Sequence, residues 1–281
     1  MKVAVSAVVG LALLIATAVS PALALESIDD LWPVDARSLG MGAARIASTG
    51  DPTSVWFNPA GLAWLQAATE GGKAGTLSAG YAYADIGEGY DAFHAYLAAP
   101  VGRPATAGWG AGFGTVPDVG SMYGAGFGAR LGRAQGWSWG AALVRDTNDD
   151  AFNLVNLGVI LGGVPVGQQQ PGGSTLRLGA TMVDLFEEAA DTTINVGVAL
   201  QGEGFIVELD VVDLTEEVSQ QVNVGGEVGL GKNSAGRIGS QDGDLTWGIG
   251  WRLGALTLDL VYANFLEGEI PTYGFTVSSG F

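Results

Sequence analysis

Thr193-Ile194-Asn195-Val196-Gly197-Val198-Ala199-Leu200 places Ile194, Val196, Val198 and Leu200 on one side of an extended chain, and Thr193, Asn195, Gly197 and Ala199 on the other. Successive side chains of a strand point to opposite faces, so this stretch reads as a strand with one apolar face and one small or polar face. The period recurs downstream. Phe205, Val207, Leu209 and Val211 alternate with Ile206, Glu208 and Asp210; Val222, Val224, Gly226, Val228 and Leu230 alternate with Asn223, Gly225, Glu227 and Gly229. Trp247, Ile249, Trp251 and Leu253 alternate with Thr246, Gly248, Gly250 and Arg252. Upstream the pattern is richer in Ala and Gly, and the strand candidates are 76–85, 90–99, 108–115, 121–131, 137–145 and 153–161.

Turn-forming clusters separate these runs: 87–89, 146–150, 168–173, 187–191, 232–244 and 268–271. About 13 runs can be distinguished in this way. Single-chain bacterial barrels use even strand numbers. Fourteen strands between Gly75 and Phe281 would take about 15 residues each, turns included, against the roughly 9–11 a membrane strand needs. Twelve would fit more loosely. The expected fold is all-β: a transmembrane antiparallel barrel of about 14 strands, with 12 the alternative.

Composition decides which face meets which solvent. Hydrophobic residues make up 48% of the 281-residue chain and charged residues only 15%, well below the roughly 25% of a soluble domain. The weaker strand face is too small and too sparsely charged for a water-exposed surface and suits a narrow, partly polar lumen. Glycine is twice as frequent as usual, at 46 residues, most of them single within β-prone runs; in a closed, coiled sheet they permit curvature and leave room for inward neighbours. Tyr90, Trp137, Trp251, Tyr262 and Tyr273 lie near run ends, where interfacial aromatic girdles form. A soluble β-sandwich is the competing reading.

The chain ends on another alternating strand, with Tyr273, Phe275, Val277, Ser279 and the terminal Phe281 on one face. A strand ending on an aromatic resembles the signal read by the outer-membrane barrel-assembly machinery. At the other end, Lys2, the apolar stretch 3–19 and Ala22-Leu23-Ala24 have the form of a signal peptide with its cleavage site, assigned to residues 1–24. No later apolar run is long enough for a membrane helix. The expected location is therefore the bacterial outer membrane, with its lipids as the surroundings. Cysteine is absent, so no disulfide can brace an exported fold. The net charge of −17 argues against nucleic acid as a partner.

Residues 25–74 are distinct from the alternating region 75–281. In Trp56-Phe57-Asn58-Pro59-Ala60-Gly61-Leu62, Asn58 suits a helix N-cap and Pro59 the first helical position. Asp35-Ala36-Arg37-Ser38-Leu39-Gly40-Met41-Gly42-Ala43-Ala44, followed by Asp51-Pro52-Thr53-Ser54-Val55 and this Asn-Pro-Ala segment, resembles the N-terminal hatch of PorV/PorQ-type outer-membrane proteins, which are related to the FadL-like fatty-acid transporter barrels. Where that pattern has a second Gly after Met41-Gly42, this chain has Ala43. The resemblance implies a 14-stranded barrel with residues 25–74 folded inward as a plug. It also implies that Arg37, Gly40, Met41, Gly42, Asn58, Pro59, Ala60 and Gly61 form the hatch motif. A PorV/PorQ-like protein would be a scaffold tied to protein export or surface attachment, with a secretion-system protein as partner. A FadL-like one would admit a small hydrophobic ligand.

Other chemistry finds little support. His94 is the single histidine and has neither a second His nor a Cys to complete a nucleophile–base pair; a lumen or girdle position is expected. Asp146-Thr147-Asn148-Asp149-Asp150 lacks the Gly and distal Glu of a calcium loop and reads as solvated loop. No phosphate-loop motif is present. The chain is expected not to be an enzyme and to need neither cofactor nor metal. Three functional readings remain open: the scaffold, the FadL-like channel and a soluble exported β-protein.

Overall fold

The computed structural model describes residues 35–65, 75–84, 90–102, 106–117, 120–131, 136–147, 152–166, 173–186, 192–215, 220–265 and 270–280. The alternating region forms fourteen antiparallel strands. These are β1 (Thr76–Ala84), β2 (Tyr90–Val101), β3 (Ala107–Val116), β4 (Gly120–Leu131), β5 (Trp137–Asp146), β6 (Phe152–Val166), β7 (Ser174–Val183), β8 (Thr193–Gly202), β9 (Phe205–Val212), β10 (Gln221–Gly229), β11 (Ser234–Gln241), β12 (Asp244–Leu253), β13 (Leu256–Phe265) and β14 (Ile270–Gly280). Each pairs with its sequence neighbours, and β1 closes on β14 through partners such as Tyr81 and Phe275. Closure pairs every strand on both sides and leaves no open edge, the condition for placing a sheet in lipid. The count is fourteen, not twelve.

Residues 232–244 are a correction. They read as a turn, yet Ser234–Gln241 is β11, and only Asp242-Gly243 separates it from β12. Locally, Ser, Gly, Arg and Gln carry no apolar alternation. The strand is imposed by its neighbours: β10 and β12 each present a ladder of backbone groups, and β11 pairs with both, from Gly229↔Ala235 to Gln241↔Asp244. Leaving those ladders unpaired would cost far more than the poor strand propensity of its residues.

The two faces sort as their composition requires. Leu77, Phe93, Trp109, Phe127, Trp139, Leu143 and Trp247 project outward and are at least two-fifths exposed. Lumen-facing neighbours such as Thr246, Thr272, Thr276 and Asp210 are completely buried. A soluble sheet would show the reverse; this is the polarity of a barrel surrounded by hydrocarbon. Trp137 and Tyr273 lie exposed near strand ends, as a girdle requires. On β14, Tyr273, Phe275 and Val277 share the outer face; Phe281 and residues 1–34, with the expected leader 1–24, lie outside the described residues.

Candidate functional site

The lumen is occupied by residues 35–65. The first element is a one-turn helix, Ala36–Gly40, capped by Asp35, whose carboxylate accepts from the Ser38 N–H at 2.8 Å. It lies against β11–β14, and the Ala36 N–H, left without an intrahelical acceptor, donates to Thr276 Oγ1 at 2.9 Å. The chain then reverses at Gly42 (φ +61°) and Ala43 (φ +55°). Gly42 is obligatory on two counts. Its φ is left-handed, and a Cβ would lie 2.5 Å from the backbone N and O of Ser240. Its N–H donates to Thr246 Oγ1 at 3.0 Å. Met41 is fully buried beneath it, against Gly225 and Gly239. Gly40 packs on Gly248, whose Cα would be 3.3 Å from an added Cβ.

After the reversal, four consecutive backbone N–H groups converge on two carboxylates of β9. Arg45 and Ile46 donate to Asp210 Oδ2 at 2.6 and 3.0 Å; Ala47 and Ser48 donate to Glu208 Oε1 at 2.5 and 3.0 Å. Consecutive amides make a concave anion site, and here the wall supplies the anions. A second charged network lies alongside. The Arg37 guanidinium grips Glu227 in a fork, at 2.9 and 3.1 Å, and donates to Asp51 at 3.1 Å. Arg237 donates to Glu227 at 2.7 Å and to Asp259 at 2.6 Å, and Arg45 pairs with Asp51. Burial alone would raise the Asp51 carboxyl. Arg45 and Arg37, with the N–H and hydroxyl of Thr53, instead hold its pKa below the ordinary aspartate value.

The second half of the plug is packed differently. A helical turn, Ser54–Phe57, leads to Asn58 and a 3-10 helix, Pro59–Trp64. Asn58 caps that helix by accepting from the Ala60 N–H at 3.1 Å, while its amide donates to the Ile46 carbonyl at 2.8 Å and to Val159 of β6 at 3.2 Å. Pro59 sits against Gly128 and Gly140 at backbone contact, Ala60 is fully buried, and Gly61 leaves space filled by Thr49 and Ser54. Val55 and Leu62 form an apolar core with Leu65, Ala98 and Ala142. The indole of Trp64 donates to Ser138 Oγ at 2.8 Å, and its ring carries the guanidinium groups of Arg130 and Arg177 at 4.1 and 4.5 Å.

All eight hatch-motif residues therefore lie within the lumen, whereas Tyr273, Phe275 and Val277 lie on the opposite face of the wall. His94 also faces inward, buried, with Nε2 3.0 Å from Thr276 Oγ1. Among the described residues no cluster of His, Cys, Asp or Glu could hold a metal ion; 148–150 of the acidic loop fall outside them. Sequence reasoning did not single out Glu208, Asp210, Glu227, Arg237, Asp259 or Trp64. A signal was available: an ionisable residue on the inner face of a membrane strand is costly unless something inside pairs with it. A cavity of about 690 Å³ opens beside the plug at the end where β1 begins and β14 ends, with Arg37, Asp51, Glu227, Arg237 and Asp259 in its lining.

No family model and no curated protein matches the chain by sequence. Solved structures do match in fold. The toluene transporter TbuX of Ralstonia pickettii superposes with a TM-score of 0.59 at 11% identity, over 90% of this chain and 98% of that one. The monoaromatic hydrocarbon channel CymD gives 0.55 at 12% identity, over 88% and 97%. The outer membrane protein Omp33 of Acinetobacter baumannii gives 0.52 at 9%, over 74% and 98%. The chain has the fold of an outer-membrane β-barrel, a transmembrane architecture it shares with these channel and transporter barrels.

Proposed function

We propose that the protein is a FadL-like channel of the bacterial outer membrane that admits small hydrophobic molecules, and that residues 35–65 are its gate. The leader 1–24 would export the chain, and the outward aromatics of β14, with Phe281, would be read by the barrel-assembly machinery. The carrying observation is the plug itself: a segment seated in the lumen, held by packing on one side and by hydrogen bonds and ion pairs on the other. Such a segment can shift without unfolding the barrel. The fold shared with a toluene transporter and a monoaromatic hydrocarbon channel supports this substrate class over the export scaffold. The test compares toluene uptake by cells making the full barrel, a variant lacking residues 35–65, or neither. Uptake should rise with the barrel and rise further with the deletion; equal uptake in all three would refute the channel.

The scaffold reading keeps one supporting observation. The plug meets the wall at backbone contact through Gly128, Gly140 and Gly239, an arrangement suited to a permanently filled barrel. In that case the deletion variant alone would conduct, and a secretion-system protein would copurify with the wild type.

A further inference from the structure

Among the described residues the arginines of the lumen divide into those with a carboxylate partner and those without. Arg37, Arg45 and Arg237 all have carboxylate partners. Arg177, on the inner face of β7, makes no hydrogen bond or ion pair among the described residues; its guanidinium stacks on Trp64 at 4.5 Å, with the charges of Arg130 and Glu208 nearby. A half-buried guanidinium at the cavity wall has five donors free to take an acceptor that enters the cavity. Its surroundings offer a further donor. Ser48 lines the same cavity, and its hydroxyl is buried without a hydrogen-bond partner. Gln201 and Ile206, paired across β8 and β9, line it too. Arg130, beside the same indole, is a second cation without a carboxylate partner among the described residues.

We infer that Arg177, Ser48 and Gln201 form a binding site for the carboxylate of a small organic acid, whose apolar body lies against Trp64 and Ile206. A carboxylate supplies what the site lacks: two acceptor oxygens for the guanidinium fork and an acceptor for the serine hydroxyl. The cavity volume of about 690 Å³ is in the range that holds a small organic molecule. Ser48 and Trp64 belong to the plug and Arg177 and Gln201 to the wall, so the bound acid bridges the two. The site goes beyond the channel reading and stands whether or not the barrel conducts.

The experiment is calorimetric titration of the full chain in detergent micelles with benzoate, benzyl alcohol and inorganic phosphate. Benzoate should bind more tightly than either comparator by at least about tenfold, the order of effect of one charge-assisted pair. Arg177→Gln should weaken benzoate by about tenfold or more, Arg177→Lys by less, and Ser48→Ala by a few-fold, with benzyl alcohol unchanged throughout. Unaltered migration of unboiled protein on a detergent gel checks that each variant is folded. If Arg177→Gln is not folded, Arg177→Lys serves alone and must still weaken benzoate. Equal binding of benzoate and benzyl alcohol, tighter binding of phosphate, or benzoate affinity indifferent to residue 177 would each overturn the site.

Discussion

Along β3–β6 the wall meets the plug chiefly with glycine; along β9–β14 charged and hydroxyl side chains join glycines such as Gly225 and Gly239. In the first region a Cβ at Gly110, Gly124, Gly128 or Gly140 would run into Val55, Trp56, Pro59 or Ala60, so the wall is shaved to let the 3-10 helix lie on it. In the second region Glu208, Asp210, Glu227, Thr246 and Thr276 reach inward and take hydrogen bonds from the plug, while Arg237 braces Glu227 from the wall. Packing of the first kind is insensitive to pH and salt and fails only when atoms are added. Binding of the second kind fails when one partner is removed, because a buried charge is then left alone. The plug is thus seated on one side and latched on the other.

The sharpest way to break this contrast is at the latch. Glu227→Ala leaves Arg37 with Asp51 alone and Arg237 with Asp259 alone, and should loosen the plug by about 3 kcal/mol, the upper end for a hydrogen bond to a charged group. Protease should then cut residues 35–65 much faster than in the wild type while the barrel stays intact; unchanged cutting would mean that the charged side does not hold the plug.

On the packed side, Gly140→Val should cost roughly 1–3 kcal/mol of seating, since the new side chain meets the backbone of Pro59 and Ala60 and cannot be sidestepped. Gly226→Ala, whose added carbon would have nothing nearer than 3.8 Å, is the matched control. Single-channel conductance should rise in the first and stay at the wild-type level in the second; equal behaviour would remove the seat from the comparison.

Asn58 belongs to both sides, capping the seated helix while binding the latched loop through Ile46. Asn58→Ala should cost about 1–2 kcal/mol, more than a surface cap. Denaturant titration of plug release, followed by protease access, would detect it; a loss under a few tenths of a kcal/mol would reduce Asn58 to a local cap.

The smallest expected effect runs the other way. Ala43 is held at a positive φ that a Cβ disfavours, so Ala43→Gly should stabilise the seated plug by about 1 kcal/mol in the same titration. A destabilised or unchanged plug would show that Ala43 carries a packing role that outweighs its strain.

Some of this could be read residue by residue. In Thr193–Leu200 the apolar and small faces are visible in eight letters, and β8 has that register. Asn58-Pro59 announces its own cap, because capping is a contact across two residues. The polar segment Ser234–Gln241 announces nothing, since only its two neighbours make it a strand. The inner glycines were legible as small residues, but not as the floor beneath Pro59 and Ala60.

By itself, then, the sequence determined the period, the polarity of the two faces and the presence of a separate N-terminal segment, because each is a property of residues within a few positions of one another. The tertiary structure alone decided the fourteenth strand, the pairing of Arg37 with Glu227 across 190 positions, and the meeting of residues 45–48 with Glu208 and Asp210. These depend on barrel closure, which brings strands from opposite ends of the chain around one lumen, and on the cost of leaving any charge inside that lumen unpaired.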